Sequence, residues 1–263
     1  IMLIVVFICA FIMGLSLGLL GAGGAVLTIP IFVYLVHMDA QIAISSSLFV
    51  VCMISLFGGL NYYKKFLVDF RSVVLFGIPS VIFVWLSRTF LLPWIPDPIW
   101  NEGNIMISKS SFLLILFSIL LFFAAFRMLK PPVLNSNATL HSNSYTFILL
   151  NGILLGVITG ILGAGGGFLI VPALVILQKL DFKKAAGTSL IIISINTGVA
   201  LISKYQSLSI LDWPFILTFT GIAVLGMYSG TKLSQFLSSD RLKPVFAYFI
   251  IAMGVFMLLK ELL

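Results

Sequence analysis

Charged residues are scarce in this chain, and acidic residues are the scarcest of them. Only 9% of the 263 residues are charged, and eight are Asp or Glu. Hydrophobic residues make up 61% of the chain, which leaves too little polar surface to cover a soluble globule of this size. The composition therefore predicts a protein of the lipid bilayer. The basic excess of +7 is then interpreted as a membrane feature, and no nucleic-acid partner is expected.

The few polar side chains also exclude most catalytic chemistry. None of the eight acidic residues lies in the middle of an apolar segment, so the usual carboxylate relay for protons is missing. Cys9 and Cys52 both lie in apolar runs and are interpreted as small buried hydrophobes, not as a disulfide framework or a metal site. The sequence contains no metal-spaced ligands and no nucleophile with its base, so neither an enzyme nor a cofactor is predicted.

A repeated glycine-rich stretch is the most prominent feature that the chain does contain. Gly18-Leu-Leu-Gly-Ala-Gly-Gly24 recurs as Gly160-Ile-Leu-Gly-Ala-Gly-Gly166. Superposing residues 18–48 on residues 160–190 without a gap gives 14 identities in 31 positions. Shared apolar composition alone would give roughly three or four. The offset is 142 residues throughout, so two halves of the chain share one plan and a site is expected to use both.

Each half divides into five apolar segments, of which the second is short for the roughly 20 residues that a membrane-spanning helix needs. The sequence predicts an all-α polytopic membrane protein with one membrane domain (1–263). That domain comprises a first repeat (1–126), a linker (127–145) and a second repeat (146–263). Full crossings or re-entrant hairpins at 2–38 and 146–180 both stay open. The segments are 2–20, 25–38, 43–60, 71–92, 111–129, 146–163, 167–180, 186–203, 213–236 and 244–262.

The positions of Lys and Arg favour an inverted repeat. With the linker in the cytoplasm, five segments per half place eleven basic residues inside and four outside. Four parallel segments per half would instead place about seven inside and eight outside. Because cytoplasmic loops are enriched in basic residues, the inverted arrangement is preferred. It predicts a multi-pass membrane protein whose linker 127–145 is cytoplasmic.

The glycine breaks are the predicted substrate site. Contiguous glycines weaken a membrane helix and free backbone groups that lipid cannot satisfy, which is tolerable only against protein or a water-filled cavity. The helices that follow the breaks would point N–H groups and positive dipole ends at the gap, which suits an anion. Tight helix packing is the alternative. Packing is the preferred interpretation for the spaced glycines Gly14, Gly18, Gly152, Gly156 and Gly160.

Hydroxyl and amide side chains add to this candidate site. Ser45-Ser-Ser-Leu48 and Gly187-Thr-Ser-Leu190 begin the third segment of each half. Their hydroxyls are candidate ligands, and hydrogen bonding within or between helices is an equal alternative. Asp39 and Asp181 are interpreted as caps of the helices that follow them or as loop residues, in preference to a role in coupling. The candidate substrate-binding residues are Gly21, Ala22, Gly23, Gly24, Ser46, Ser47, Gly163, Ala164, Gly165, Gly166, Gly167, Thr188, Ser189 and Asn196.

The paired breaks, each followed by a short Pro-containing segment and then by Ala-x-(Gly/Ser)-(Ser/Thr)-Ser-Leu, resemble the sulfite exporter TauE/SafE family. The resemblance covers nearly the whole chain. The second half is the closer match, and the first half departs from the pattern at Ala25 and Ser45. The resemblance implies a plasma-membrane carrier of small sulfur-containing oxyanions or organosulfur acids, often in the export direction.

The sequence therefore predicts a transporter of a small anion that works by alternating access, with one repeat rocking against the other around a central site. Two alternatives stay open. One is a channel-like anion pathway, and the other is a membrane-embedded partner or assembly protein without flux. The anion, the direction, the energy source and the homo-oligomeric state are not specified by the sequence.

Overall fold

The chain is helical almost throughout. The computed structural model describes residues 2–96, 99–102, 105–107, 109–129, 145–162, 167–203 and 211–262. Each apolar segment predicted above corresponds to one helix, which confirms the all-α polytopic class. Within the described residues the helices are α1 (Met2–Leu20), α2 (Gly23–Leu35), α3 (Ala40–Lys64), α4 (Phe70–Trp94), α5 (Lys109–Leu129), α6 (Tyr145–Leu162), α7 (Gly167–Ile176), α8 (Phe182–Ser203), α9 (Trp213–Phe236) and α10 (Ser239–Leu262).

Two of these helices change their winding along their length. In α2, a 3₁₀ turn (Gly23–Val26) leads through a short α-helical turn into a π-helix (Ile31–Leu35). In α4, π-helical turns occur at Val73–Gly77 and Ser87–Leu91. A small antiparallel hairpin of β1 (Trp100–Glu102) and β2 (Ile105–Ile107) follows α4. The sequence analysis did not predict this hairpin, because its strands are only three residues long and lie in a Pro-rich loop.

Six helices of the described chain are long and apolar enough to cross a membrane. Three others, α2, α6 and α7, are apolar but shorter. The qualifying stretches are Met2–Leu20, Gln41–Lys64, Phe70–Trp94, Phe112–Leu129, Phe182–Ile202 and Trp213–Phe236.

The chain forms two compact units, and each draws helices from both halves of the sequence. The first unit comprises Ile1–Val73 and Leu180–Leu242, so it contains α1, α2 and α3 together with α8 and α9. The second comprises Val74–Lys179 and Lys243–Leu263, so it contains most of α4 together with α5, α6, α7 and α10. The compact units therefore do not coincide with the two sequence repeats.

In the first unit, α1 and α9 pack in parallel with their backbones in direct contact. A methyl group added at Gly14 would overlap the carbonyl of Ala223, and one added at Gly18 would overlap that of Met227. From the other side, Gly226 faces the Phe11 carbonyl in the same way. Small residues let two helices approach this closely, and the contact replaces the hydrophobic driving force that lipid does not supply.

In the second unit, α6 and α4 pack in the same manner. A methyl group at Gly152 would lie 2.5 Å from the Phe76 carbonyl oxygen, and one at Gly156 would lie 2.6 Å from that of Ser80. Gly160 faces Val84 at 2.8 Å. The packing interpretation of the spaced glycines in α1 and α6 is thus confirmed. In each unit, the first helix of one repeat pairs with the fourth helix of the other.

The third helices of the two repeats, α3 and α8, pack against each other in opposite directions. A methyl group at Gly59 would lie 2.8 Å from Ile191 Cγ1, and one at Gly187 would lie 2.8 Å from Tyr62 Cβ. Residues later in α3 therefore contact residues earlier in α8, so the two helices are antiparallel. Helices that are equivalent in sequence run antiparallel within one compact unit.

Acidic side chains fix the starts of several helices. Asp39 accepts a hydrogen bond from the Gln41 amide at 2.9 Å, and Asp181 accepts one from Lys183 at 3.2 Å. Asp212 caps α9 in the same way through Phe215. A side-chain oxygen at this position satisfies an amide that the first turn leaves free. The predicted capping role of Asp39 and Asp181 is confirmed.

Candidate functional site

The first glycine break is a buried turn that requires glycine at its first position. Gly21 has a φ of +82°, a left-handed conformation that side chains strongly disfavour, and its amide donates to Leu17 O at 2.8 Å. The four residues of the turn, Gly21, Ala22, Gly23 and Gly24, are buried. The chain then enters the 3₁₀ turn of α2.

The turn presents three backbone donors without acceptors. Within the described part of the chain, the amides of Ala22, Gly23 and Gly24 donate no hydrogen bond. The carbonyls of this stretch are better satisfied, since Ala22 O accepts from Ala25 at 3.3 Å and Gly24 O accepts from Leu27 at 3.1 Å. A buried unpaired amide costs about 1–3 kcal/mol. The break therefore has a surplus of donors, which suits a ligand that carries acceptor oxygens.

The break of the first repeat lies directly against α8 of the second repeat. Ser189 Oγ donates toward Gly21 O at 3.0 Å and also lies 2.8 Å from Ala186 O in its own helix. A methyl group at Gly21 would come within 2.5 Å of Ala186 Cα. Two predicted site residues from opposite halves, Gly21 and Ser189, are thus in direct contact.

Behind the break, α2 folds back against the middle of α1. A side chain at Gly24 would overlap the Met13 carbonyl and come within 3.0 Å of Leu17 Cβ. Thr28 Oγ1 lies 3.1 Å from Met13 Sδ. Gly24 therefore has a packing role as well as a free amide, because only glycine allows the two segments to approach this closely.

The remaining predicted residues of the first unit have different environments. Thr188 Oγ1 accepts from the Asp69 amide at 2.9 Å, which ties it to the loop before α4. Ser46 Oγ and Asn196 Oδ1 are buried and have no hydrogen-bond partner among the described residues. Ser47 is also buried. Thr188 is therefore engaged with the backbone, whereas Ser46 and Asn196 each retain unused hydrogen-bonding capacity.

The second break lies mostly outside the described residues. This applies to Gly163, Ala164, Gly165 and Gly166. Gly167 is described, and it is buried at the start of α7 in the second unit.

A polar network that the sequence analysis did not assign supports the end of α1. Tyr62 Oη donates to Gly18 O at 2.9 Å and lies 3.1 Å from Ser234 Oγ on α9. Next to it, Asn61 Nδ2 donates to Thr231 Oγ1 at 2.6 Å. The Tyr62 bond holds the last turn of α1, just before the break, and the Asn61 bond joins α3 to α9. The signal in the sequence was the pair Asn61 and Tyr62 at the end of an apolar segment, which does not reveal its partners.

The same end of the first unit carries basic side chains. Lys65 Nζ donates to Thr231 O at 3.3 Å, and partial burial lowers the pKa of Lys65 from its usual range. Asp181 accepts from the Ser239 hydroxyl at 2.7 Å. These bonds connect the end of α3 with the end of α9, and the start of α8 with the start of α10.

Comparisons with known proteins agree on the class of protein. The sequence model described as "Sulfite exporter TauE/SafE" matches residues 6–257. A "Probable membrane transporter protein" of Xylella fastidiosa (strain Temecula1) is 27% identical over 256 residues, covering 95% of this chain and 92% of that protein. "Probable membrane transporter protein YdhB" of Bacillus subtilis (strain 168) is 24% identical over 238 residues, covering 89% and 91%. No solved structure matches the chain significantly.

The family match spans nearly all of the described helices, including both sequence repeats. The curated relatives are named as membrane transporters, and they match along most of their own length. With its apolar helices, the chain is a multi-pass membrane transporter and belongs to the sulfite exporter TauE/SafE family.

Proposed function

We propose that this transporter carries small sulfur-containing anions, such as sulfite or sulfonates, in the export direction, and that the glycine breaks form its substrate site. The observation that carries the proposal is the buried turn at Gly21, whose three following amides have no acceptor in the described chain and whose carbonyl accepts from Ser189. The family description, which names sulfite export, supports the substrate class.

The chemistry of the turn suits an oxyanion. Buried amides that have no acceptor can replace the water around a sulfur oxyanion at little reorganisation cost, because the fold already holds them in place. No buried cation is needed, because the partial positive charges of several amides together stabilise the negative charge. Hydrogen bonds to a charged group are worth about 1.5–3 kcal/mol each, so a few amides supply substantial affinity.

Alternating access between two inverted repeats is the proposed mechanism. The antiparallel packing of α3 and α8 supports it, because equivalent helices of an inverted pair run in opposite directions. The matched pairs α1 with α9 and α6 with α4 support it as well, since each repeats the same close packing.

The linker 127–145 is proposed to lie in the cytoplasm and the protein in the plasma (inner) membrane. Hydrogen bonds join the end of α3 to the end of α9, and the start of α8 to the start of α10. Several basic residues therefore lie at one end of the first unit, which agrees with the enrichment of basic residues on the cytoplasmic side. A cysteine introduced at Ser142 tests this. Labelling only from outside intact cells would overturn the orientation. Within the first unit, the basic residues at these helix ends and at the start of α4 are Lys64, Lys65, Arg71, Lys183, Lys184, Lys232 and Arg241.

Flux in proteoliposomes tests the substrate site. Purified protein is first screened by thermal shift with sulfite, thiosulfate, sulfoacetate and, for comparison, acetate. Flux of the stabilising anion should saturate, and Gly23→Val or Gly165→Val should lower it by about tenfold or more. Gly221→Ala is the matched control, because nothing lies within 4 Å of a methyl group there.

Each of the other outcomes has a clear meaning. Unchanged flux in both valine variants at normal expression would remove the breaks from the site. Flux that does not saturate would favour the channel-like pathway. Absence of stabilisation and flux across the whole panel would favour a membrane partner without transport activity.

A further inference from the structure

Thr188 and Ser46 occupy the same position in the two repeats, yet only one of them is hydrogen-bonded. The repeat offset of 142 residues relates Ser46 on α3 to Thr188 on α8. Thr188 Oγ1 accepts from the Asp69 amide at 2.9 Å. Ser46 Oγ is fully buried and has no partner. The two repeats are therefore in different local states at this position.

The donor to Thr188 also has an equivalent in the other repeat. Asp69 is the N-cap of α4, and Asp212 is the N-cap of α9. The fourth helices of the two repeats, α4 and α9, correspond with an offset of 143 residues. Their packing shows this, because Gly14 faces Ala223 and its equivalent Gly156 faces Ser80. The same offset relates Asp69 to Asp212. The counterpart of the bond from Asp69 to Thr188 is thus a bond from the Asp212 amide to Ser46 Oγ, which this structure does not contain.

The missing partner of Ser46 is not supplied within its own helix. Its neighbour Ser45 donates to Gln41 O, four residues earlier, at 3.1 Å, which is the usual way in which a helix satisfies a buried hydroxyl. Ser46 makes no such bond. A buried hydroxyl without a partner is costly, so a conformation in which Ser46 gains one is favoured at this position.

Alternating access by inverted repeats would relate the environment of Ser46 to that of Thr188. When two equivalent repeats exchange conformations, every contact between non-equivalent positions is replaced by its counterpart. We propose that Ser46 and Thr188 are an exchange pair. In the state described here, the Asp69 amide binds Thr188 and Ser46 is free. In the opposite state, the Asp212 amide binds Ser46 and Thr188 is released. The inference rests on the alternating-access part of the proposed function.

Amide hydrogen exchange at Asp69 and Asp212, resolved by mass spectrometry on the purified full chain, tests the pair. Thr188→Val removes the acceptor of the Asp69 amide and should shift the equilibrium toward the opposite state. Exchange at Asp212, which Thr188 does not contact in this structure, should then slow by up to about fivefold, because about 1 kcal/mol for one hydrogen bond changes the equilibrium between the two states by that ratio. Unchanged exchange at Asp212 would overturn the proposal.

The double variant Thr188→Val/Ser46→Ala separates the exchange from general loosening. Without the Ser46 hydroxyl, the slowing at Asp212 should disappear, and slowing that persists would contradict the role of Ser46. Thr188→Ser keeps the hydroxyl and should behave as the unaltered chain, and Thr188→Ala replaces Thr188→Val if that variant does not fold. Ser55→Ala is the matched control, because its buried hydroxyl lies on the same helix and bonds to carbonyls of that helix.

Flux measurements on the same preparations keep the two proposals apart. If no anion is transported but Asp212 responds to Thr188→Val, the exchange pair stands and the substrate assignment fails. If an anion is transported with saturation but Asp212 does not respond, the proposed function stands and the exchange pair is wrong.

Discussion

Cys52 Sγ donates a hydrogen bond to the carbonyl oxygen of Ser194 at 3.6 Å, and these two residues occupy the same position in the two repeats. The bond lies where α3 and α8 cross in opposite directions. In an arrangement with two-fold symmetry, a contact between equivalent residues lies on the axis. Such a contact is unaffected when the two repeats exchange conformations, whereas contacts between other positions are replaced.

A disulfide on this axis should therefore be compatible with transport. Ser194→Cys, made with Cys9→Ala, places a second thiol beside Cys52, and mild oxidation should link the two. We expect the oxidised variant to retain most of its flux in proteoliposomes, with loss of free thiols measured by mass spectrometry. A cross-link that forms and abolishes flux, restored on reduction, would contradict alternation about this axis.

Gly21→Ala should damage both stability and flux. The residue has a positive φ, and the added methyl group would lie 2.5 Å from Ala186 Cα. The left-handed conformation costs about 1–2 kcal/mol for any other residue, and the overlap adds a similar amount. Thermal melting and flux give the measurement. Gly198→Ala is the control, because its methyl group would meet Cys52 Sγ at an ordinary 3.6 Å.

Gly14→Ala should destabilise the first unit without touching the break. Its methyl group would overlap the Ala223 carbonyl on α9, where two backbones meet and neither can move as a flexible side chain would. We expect a loss of about 3 kcal/mol in the free energy of unfolding. Gly221→Ala in α9 should be neutral or slightly stabilising, since it faces open space and alanine favours helix. Equal melting temperatures for the two variants would argue against the close packing of α1 on α9.

Ser189→Ala should weaken the connection between the break and the second repeat. The hydroxyl donates toward Gly21 O, and loss of that bond is worth about 0.5–1.5 kcal/mol. We expect a modest fall in melting temperature and a larger fall in flux, because the carbonyl lies within the proposed substrate turn. Ser55→Ala removes a hydroxyl that bonds to carbonyls of its own helix, so a similar loss of flux there would show that the effect is not specific to the break.

Much of this architecture follows from the sequence alone. Membrane insertion, the helical segments and the places where helices break depend on local composition. Apolar runs need helical hydrogen bonding in lipid, and the run that ends at Gly21 cannot continue as a regular helix. The constant offset between Gly18 and Gly160 identifies the repeat from the sequence alone. The capping roles of Asp39 and Asp181 follow from their positions just before a helix.

Only the tertiary structure decided which helix pairs with which. Every segment is apolar, so hydropathy does not distinguish the partner of α1 among the others. The pairing of α1 with α9 depends on the fit of Gly14 to the Ala223 backbone. That fit is a joint property of two helix surfaces that are far apart in the sequence. In the same way, the repeat offset identifies Ser46 and Thr188 as equivalent positions. Only the fold determines that Thr188 has a hydrogen-bond partner while Ser46 has none among the described residues.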